Sequence, residues 1–218
     1  MDLFYFDIEC TGAYKNFKTF EQSDPRGSDL FKSKYKKLDW ESKYGSIDEA
    51  YLQNAGIIST YGKICCISFG FEDDGKKRIS SFFGDNEKDI VIQFNDLLKK
   101  IEKKNFILSG FRIMSFDIPW ILHKLHKYRI QPANILYLYD KKPWECRIVD
   151  LSDDWKSRFA WAYNFDEVCY ELNISSPKDN MNGSEVHQYY WEGRYEEIKT
   201  YCEKDVEASI EVGKIMYK

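Results

Sequence analysis

No stretch of the chain is apolar for long enough to span a membrane, and no charged-then-apolar leader opens it. A soluble, cytoplasmic protein is therefore the expectation. The six cysteines (Cys10, Cys65, Cys66, Cys146, Cys169 and Cys202) include no CxxC pair and no Cys/His zinc spacing. That argues against structural zinc and leaves reduced core thiols as the reading. The three histidines form no ligand set. His123 and His126 stand three apart in a helical stretch and read as part of a partly buried helix face. Surplus positive charge is also lacking. A formal net charge of −4 argues against nonspecific nucleic-acid binding over a broad basic surface, though not against a grip through metal ions. There is no internal repeat, no low-complexity tract and no linker marking a second domain.

What the chain does have is apolar and aromatic content, 43% and 17% of 218 residues, enough for one globular α/β domain with a sizeable core. Leu3 to Gly12 opens as a near-continuous apolar run of β formers, read as a strand buried on both faces. Alternation sends Leu3, Tyr5, Asp7 and Glu9 one way and Phe4, Phe6, Ile8 and Cys10 the other. Two carboxylates thus emerge side by side where Thr11-Gly12 breaks the strand. Like charges this close repel, more so when buried, and a fold keeps them only with a compensating cation or a shared proton. A strand that ends at Ile8, leaving Glu9 in a solvated turn, explains this stretch equally well.

The segment from 13 to about 45 is polar and lysine-rich. Between Ala13 and Tyr44 there are eight Lys and Arg against five Asp and Glu, an excess of three. Its aromatics (Tyr14, Phe17, Phe20, Phe31, Tyr35 and Trp40) interleave with the basic residues, which suits a surface that stacks bases and meets phosphates. Packing of those rings on the core with the lysines wetted is the competing reading. Beyond it, Ser46 to Gln53 predicts a helix. Lys63 to Phe71 and Lys77 to Phe83 predict a hairpin around the charged turn at Glu72 to Gly75. Gly84-Asp85-Asn86-Glu87 opens a helix through about Lys103, with Ile90, Phe94, Leu97, Leu98 and Ile101 on one face. Asn105 to Phe111 and Cys146 to Leu151 predict two more strands. Further helices are expected over Phe116 to Tyr128, Phe165 to Leu172 and from Tyr195 onward. The order predicts a mixed five-stranded sheet flanked by helices.

Three acidic sites fall at matching places in this order. Asp7-Ile8-Glu9 is the first. The second is Asp117, after Phe116, where a strand hands over to a helix; alone it reads as a first-turn acid. The third is Tyr201 and Asp205, four apart and so on one helix face. Together they resemble the motifs of the DEDD, or DnaQ-like, 3'-5' exonucleases on the ribonuclease H-like fold. Asp7 and Glu9 resemble its Asp-x-Glu, Phe116-Asp117 its Phe-Asp motif, and Tyr201 with Asp205 the Tyr-x-x-x-Asp form of the DEDDy branch. The run from Gly62 to Gly70 and the run Asn182-Gly183-Ser184-Glu185-Val186 are similar to exonucleases related to the proofreading domain of family B DNA polymerases. No polymerase domain follows, so a stand-alone member is expected, a single exonuclease domain over 1–218. Two positions depart from the pattern. Cys10 stands where the family often has Thr or Ser, which alters the contact offered to a terminal nucleotide, and Arg112 stands where it often has Asn.

The resemblance implies two divalent cations, Mg²⁺ or Mn²⁺, held by Asp7, Glu9, Asp117 and Asp205. Asp7, Glu9 and Asp205 would hold the ion bearing the attacking water. Asp7 would bridge to a second ion that Asp117 holds through water, and Tyr201 would orient the nucleophile. Cys10, Thr11, Gly12, Arg112 and Phe116 are expected to touch the strand. For Arg112 two geometries are open, contact with a phosphate, which is favoured, or pairing with Asp117. Asp150, with Asp153 and Asp154 after it, reads as structural support. The implied activity is removal of nucleoside 5'-monophosphates from the 3' end of single-stranded DNA. The alternatives are an RNA-trimming exoribonuclease and a catalytically weak nucleic-acid-binding module on the same fold.

Overall fold

The structure is a computed structural model and describes residues 2–138, 141–142, 145–158, 161–176 and 181–217. Five strands form one sheet: β1 (Leu3–Gly12), β2 (Gly62–Asp73), β3 (Lys76–Phe83), β4 (Ile107–Gly110) and β5 (Ile148–Asp150), in the order β3-β2-β1-β4-β5. β1 pairs antiparallel with β2 and parallel with β4, so it is the middle strand, and the sheet is mixed as the element order predicts. The fifth strand is shorter than expected, because the residues before Ile148 lie outside it.

The alternation read in β1 sorts its two faces. Phe4, Phe6 and Ile8 pack into a core with Phe94 and Leu98 of α5 (Glu87–Ile101) and Ile118, Ile121 and Leu125 of α6 (Asp117–Lys127). Leu3 and Tyr5 face the other way, against Val206, Ile210 and Val212 of α10 (Tyr195–Met216) and Val168 of α8 (Phe165–Glu171). α7 (Leu151–Lys156) and α9 (Val186–Trp191) are short helices not anticipated from periodicity. No helix among the described residues is long and apolar enough to cross a membrane.

The basic segment after β1 folds as α1 (Phe17–Ser23), α2 (Pro25–Lys37) and α3 (Trp40–Tyr44), joined by α4 (Ile47–Asn54). Its packing reading holds. Phe17, Phe20, Phe31 and Trp40 are buried with Tyr51 and Tyr61 in a core of their own. Phe31 meets the Tyr61 ring edge-to-face at 5.0 Å. Rings spent on one another in this way do not offer faces to bases.

The partly buried histidine face expected on α6 is not what the fold shows. His123 and His126 are exposed, and the cation buried there is Lys124, at 2% exposure. Its ammonium donates to the carbonyls of Ser59 and Gly62 and lies 3.2 Å from buried Glu87. Glu87 also accepts from the Ile64 N–H at 2.8 Å. Burial raises the Glu87 pKa, but Lys124, Tyr128 and Lys127 outweigh that and hold it below its usual value. This network fastens the start of β2 beside the end of β1.

Candidate active site

The pairing of β1 with β4 runs from Leu3–Ile107 to Tyr5–Ser109 and stops there, so the next backbone donors of β1 on that side need another partner. Asp117 supplies it. Its Oδ1 accepts from the Ile8 N–H at 3.0 Å, placing the first acid of α6 between Asp7 and Glu9 along the strand. The acid does not serve as a simple cap. Its side chain turns back onto β1, and at 2% exposure it is almost sealed.

The loop that delivers Asp117 is held from below by Asp150. One carboxylate oxygen accepts from the Arg112 N–H at 2.9 Å and the Ser152 N–H at 3.0 Å, and the other from the Met114 N–H at 2.9 Å. Three donors on one buried carboxylate account for its place in the sequence, and the support role read for it stands. Gly110 is required just before the loop: a Cβ there would lie 2.6 Å from the Phe6 carbonyl oxygen.

From the other side comes α10. Tyr201 is buried and Asp205 is half-buried one turn later. The Cys202 thiol donates to the Asp7 backbone oxygen and to Asp7 Oδ2, both at 3.4 Å. Ligand atoms of Asp7, Glu9 and Cys202 all lie within 4.8 Å of one another. A row of hydroxyls extends sideways from Asp7 along the sheet. Ser68 pairs with Asp7 in register and shares a 2.8 Å hydrogen bond with Ser81, which donates to Glu203 at 2.7 Å.

The electrostatics are those of a cluster built for positive charge. Burial, then the charge of Asp117, raises the Asp7 pKa well above the carboxylate range, and the Cys202 hydrogen bond only partly offsets this. Burial, then Asp7 and Asp205, raises Glu9. Asp117 is pushed up to about 8, by burial first and also by Asp150 and Asp205, against the opposing bond from Ile8. The Tyr201 hydroxyl rises too, through burial and then Asp205, Glu9 and Asp7, so it stays protonated. Among the described residues no Lys, Arg or His forms an ion pair with Asp7, Glu9 or Asp117. Hard oxygen donors, crowded and uncompensated, fit divalent cations.

The strand-contact candidates are more mixed. Thr11 has no exposed surface, and its hydroxyl shares a 3.0 Å hydrogen bond with His187 Nδ1. The Gly12 N–H donates to the same nitrogen at 3.2 Å, so Nδ1 is unprotonated and Nε2–H donates to the Lys15 carbonyl at 3.0 Å. His187 thus ties α9 to the end of β1. Sequence reasoning missed it, although it directly follows the Asn182 to Val186 run. Cys10 is partly exposed beside a register shift between Glu9 and Cys10, and Phe116 is half-buried against Trp120. Arg112 is exposed, its backbone left-handed at φ 62°, and its guanidinium donates to the Tyr163 carbonyl at 2.6 Å. It does not pair with Asp117.

No curated protein matches the chain in sequence. Among solved structures, it resembles the family B DNA polymerase from the hyperthermophilic archaeon Pyrobaculum calidifontis, with a TM-score of 0.58 and 13% identity. The likeness covers 99% of this chain and 24% of the polymerase chain, and it shows the fold. A family model described as a predicted 3'-5' exonuclease related to the exonuclease domain of PolB matches residues 57–209, a span that includes Asp117, Tyr201 and Asp205. Asp7 and Glu9 precede that span, and it is the fold that brings them to the same place. The chain belongs to this family of 3'-5' exonucleases related to the exonuclease domain of family B polymerases.

Proposed function

We propose that the chain shortens single-stranded DNA from its 3' end, releasing nucleoside 5'-monophosphates. The observation that carries this is the convergence of carboxylates from β1 and α6 with the Tyr201–Asp205 face of α10, tied by the Ile8 to Asp117 hydrogen bond. Asp7, Glu9 and Asp205 would hold one divalent cation, and Asp7 and Asp117 a second, as Mg²⁺ or Mn²⁺. Such ions neutralise charge developing on the phosphoryl oxygens and make water acidic enough to attack at neutral pH. Tyr201, kept protonated, would donate to the attacking water and aim it. Attack at phosphorus breaks the bond to the 3' oxygen, which leaves as the new strand terminus once protonated. Cys202 would hold Asp7 in its rotamer, and Asp150 would hold the loop that presents Asp117.

The binding-module alternative loses its one support, since Arg112 turns to Tyr163 and leaves Asp117 uncompensated. RNA as substrate stays the second reading, and single strands labelled at either end decide it. The reading expects a ladder from 5'-labelled DNA, immediate loss of label as mononucleotide from 3'-labelled DNA, and no cleavage in chelator. RNA cleaved faster than DNA would turn the assignment to an exoribonuclease.

A further inference from the structure

On the far side of the sheet lies a groove of about 800 Å³ that the nuclease reading does not use. It runs between β2, β3 and the end of α5. Phe4, Phe69, Phe71, Leu97, Ile101 and Phe106 line its floor. The residues that rim it are cationic: Arg78 on β3, Lys100 on α5, and Lys103 and Lys104 in the 3₁₀ turn that follows. Asp73 at one end is the single acid among the described residues of the lining. Arg78, Lys100, Lys103 and Lys104 are all exposed, and none has a carboxylate partner among the described residues. Lys77, Lys99 and Lys214, by contrast, each sit on a carboxylate. In a chain of net charge −4, four unpaired cations around one apolar groove form a local field of the opposite sign.

We propose that this groove docks an acidic peptide segment of a partner protein, its apolar side chains seated among the phenylalanines and its carboxylates on the lysines of the rim. Charge complementarity names the occupant: apolar anchors fill a lined groove, and acidic flanks steer the encounter and fix its direction. A nucleic-acid strand fits less well, for two reasons. Phe4 points to the opposite face of β1 from Asp7, and it lies near the start of the strand while the carboxylates lie near its end. The rings also pack on each other, Phe71 against Phe106 edge-to-face at 5.4 Å and Phe4 against Phe106 at 6.2 Å, so bases would find ring edges where they need open faces. A partner held here leaves the carboxylate site open, so docking recruits the nuclease without blocking it.

The test uses fluorescence anisotropy on the full chain. The probe is a short labelled peptide with a run of Asp and Glu followed by Leu and Phe. Two control peptides replace the acids by Asn and Gln, or the apolar pair by Ala, and a labelled oligothymidylate stands for the strand. Saturable binding of the acidic apolar probe is expected, weakened by salt and at least ~10-fold weaker for either control peptide. The variant Lys100→Glu/Lys103→Glu/Lys104→Glu, altered only at exposed positions, should lose at least ~10-fold in affinity for the probe and keep its oligothymidylate affinity. No saturable binding to the unaltered chain, or equal binding by the charge-reversed variant, overturns the proposal. A charge-reversed variant that loses oligothymidylate affinity also overturns it, and makes the groove a tract for the strand.

Discussion

Each polar residue near the site can be assigned by what its atoms touch. Tyr201 is buried beside three carboxylates and keeps its proton, so its hydroxyl can orient water but cannot accept a proton at neutral pH. Tyr201→Phe keeps the ring and should lower turnover by ~10–10³-fold with metal and strand affinity unchanged. Single-turnover rates beside binding isotherms check this, and equal turnover would reduce Tyr201 to packing. Asp150 touches no candidate ligand, yet it fixes Arg112, Met114 and Ser152 through their N–H groups. Asp150→Asn trades one acceptor oxygen for an amide that cannot accept, so the loop bearing Asp117 loosens. The metal concentration for half-maximal activity should rise by ~10–100-fold. A metal titration that superimposes on the unaltered chain's would detach Asp150 from the site. Arg112 carries a local backbone cost. At φ 62° it sits in the left-handed region, which suits Asn better than Arg, a physical reason for the Asn that the sequence resemblance led one to expect there.

At the scale of elements, legibility followed locality. β1 was readable because a near-continuous apolar run and strict alternation set its burial and its carboxylate face within ten residues. α5 and α10 were readable from their period. The α1 to α3 segment was not, since lysines and serines mask two short spacings, Phe17 with Phe20 and Phe31 with Tyr35. Those spacings were the available signal for a buried aromatic core. Its rings hold the segment together, so Phe31→Ala should cost about 3–5 kcal/mol of stability, the usual range for a buried Phe to Ala change. Urea unfolding monitored by fluorescence measures it, and a loss below ~1 kcal/mol would mean the ring is not part of a cooperative core. The support role of Asp150 was legible, but its partners Arg112 and Met114, the Glu87–Lys124 pair and the His187 tie were not. Each of these joins groups 36 or more residues apart, a partnership that only the fold creates.

For the whole molecule, the buried carboxylates make stability depend on pH and on metal together. Asp7, Glu9 and Asp117 all have raised pKa values in the fold. Below their unfolded values their contribution is fully present. It is lost as pH rises through the folded values, about 8 for Asp117, because the folded chain must then carry charges the unfolded chain keeps solvated. The metal-free protein should therefore lose thermal stability between pH ~6 and ~9, and Mn²⁺ should restore it by more at the upper end than at the lower. His187, lowered by burial, acts in the opposite sense and from the lower edge of that window downward, since its contribution falls away as pH drops beneath its ordinary 6.5. Melting curves with and without Mn²⁺ across that range check the sign. A metal effect larger at low pH would contradict the cluster's assigned protonation.

The most direct measurement of the central claim is the rate at which Asp7→Asn shortens 3' ends of single-stranded DNA in saturating Mn²⁺, beside the unaltered chain and a chelator control. Asp7 is the carboxylate assigned to both cations, so the change removes charge from both at once. The account predicts a loss of at least ~10³-fold, to near the chelator background. Shortening at close to the unaltered rate would contradict it and remove the carboxylate cluster from the chemistry.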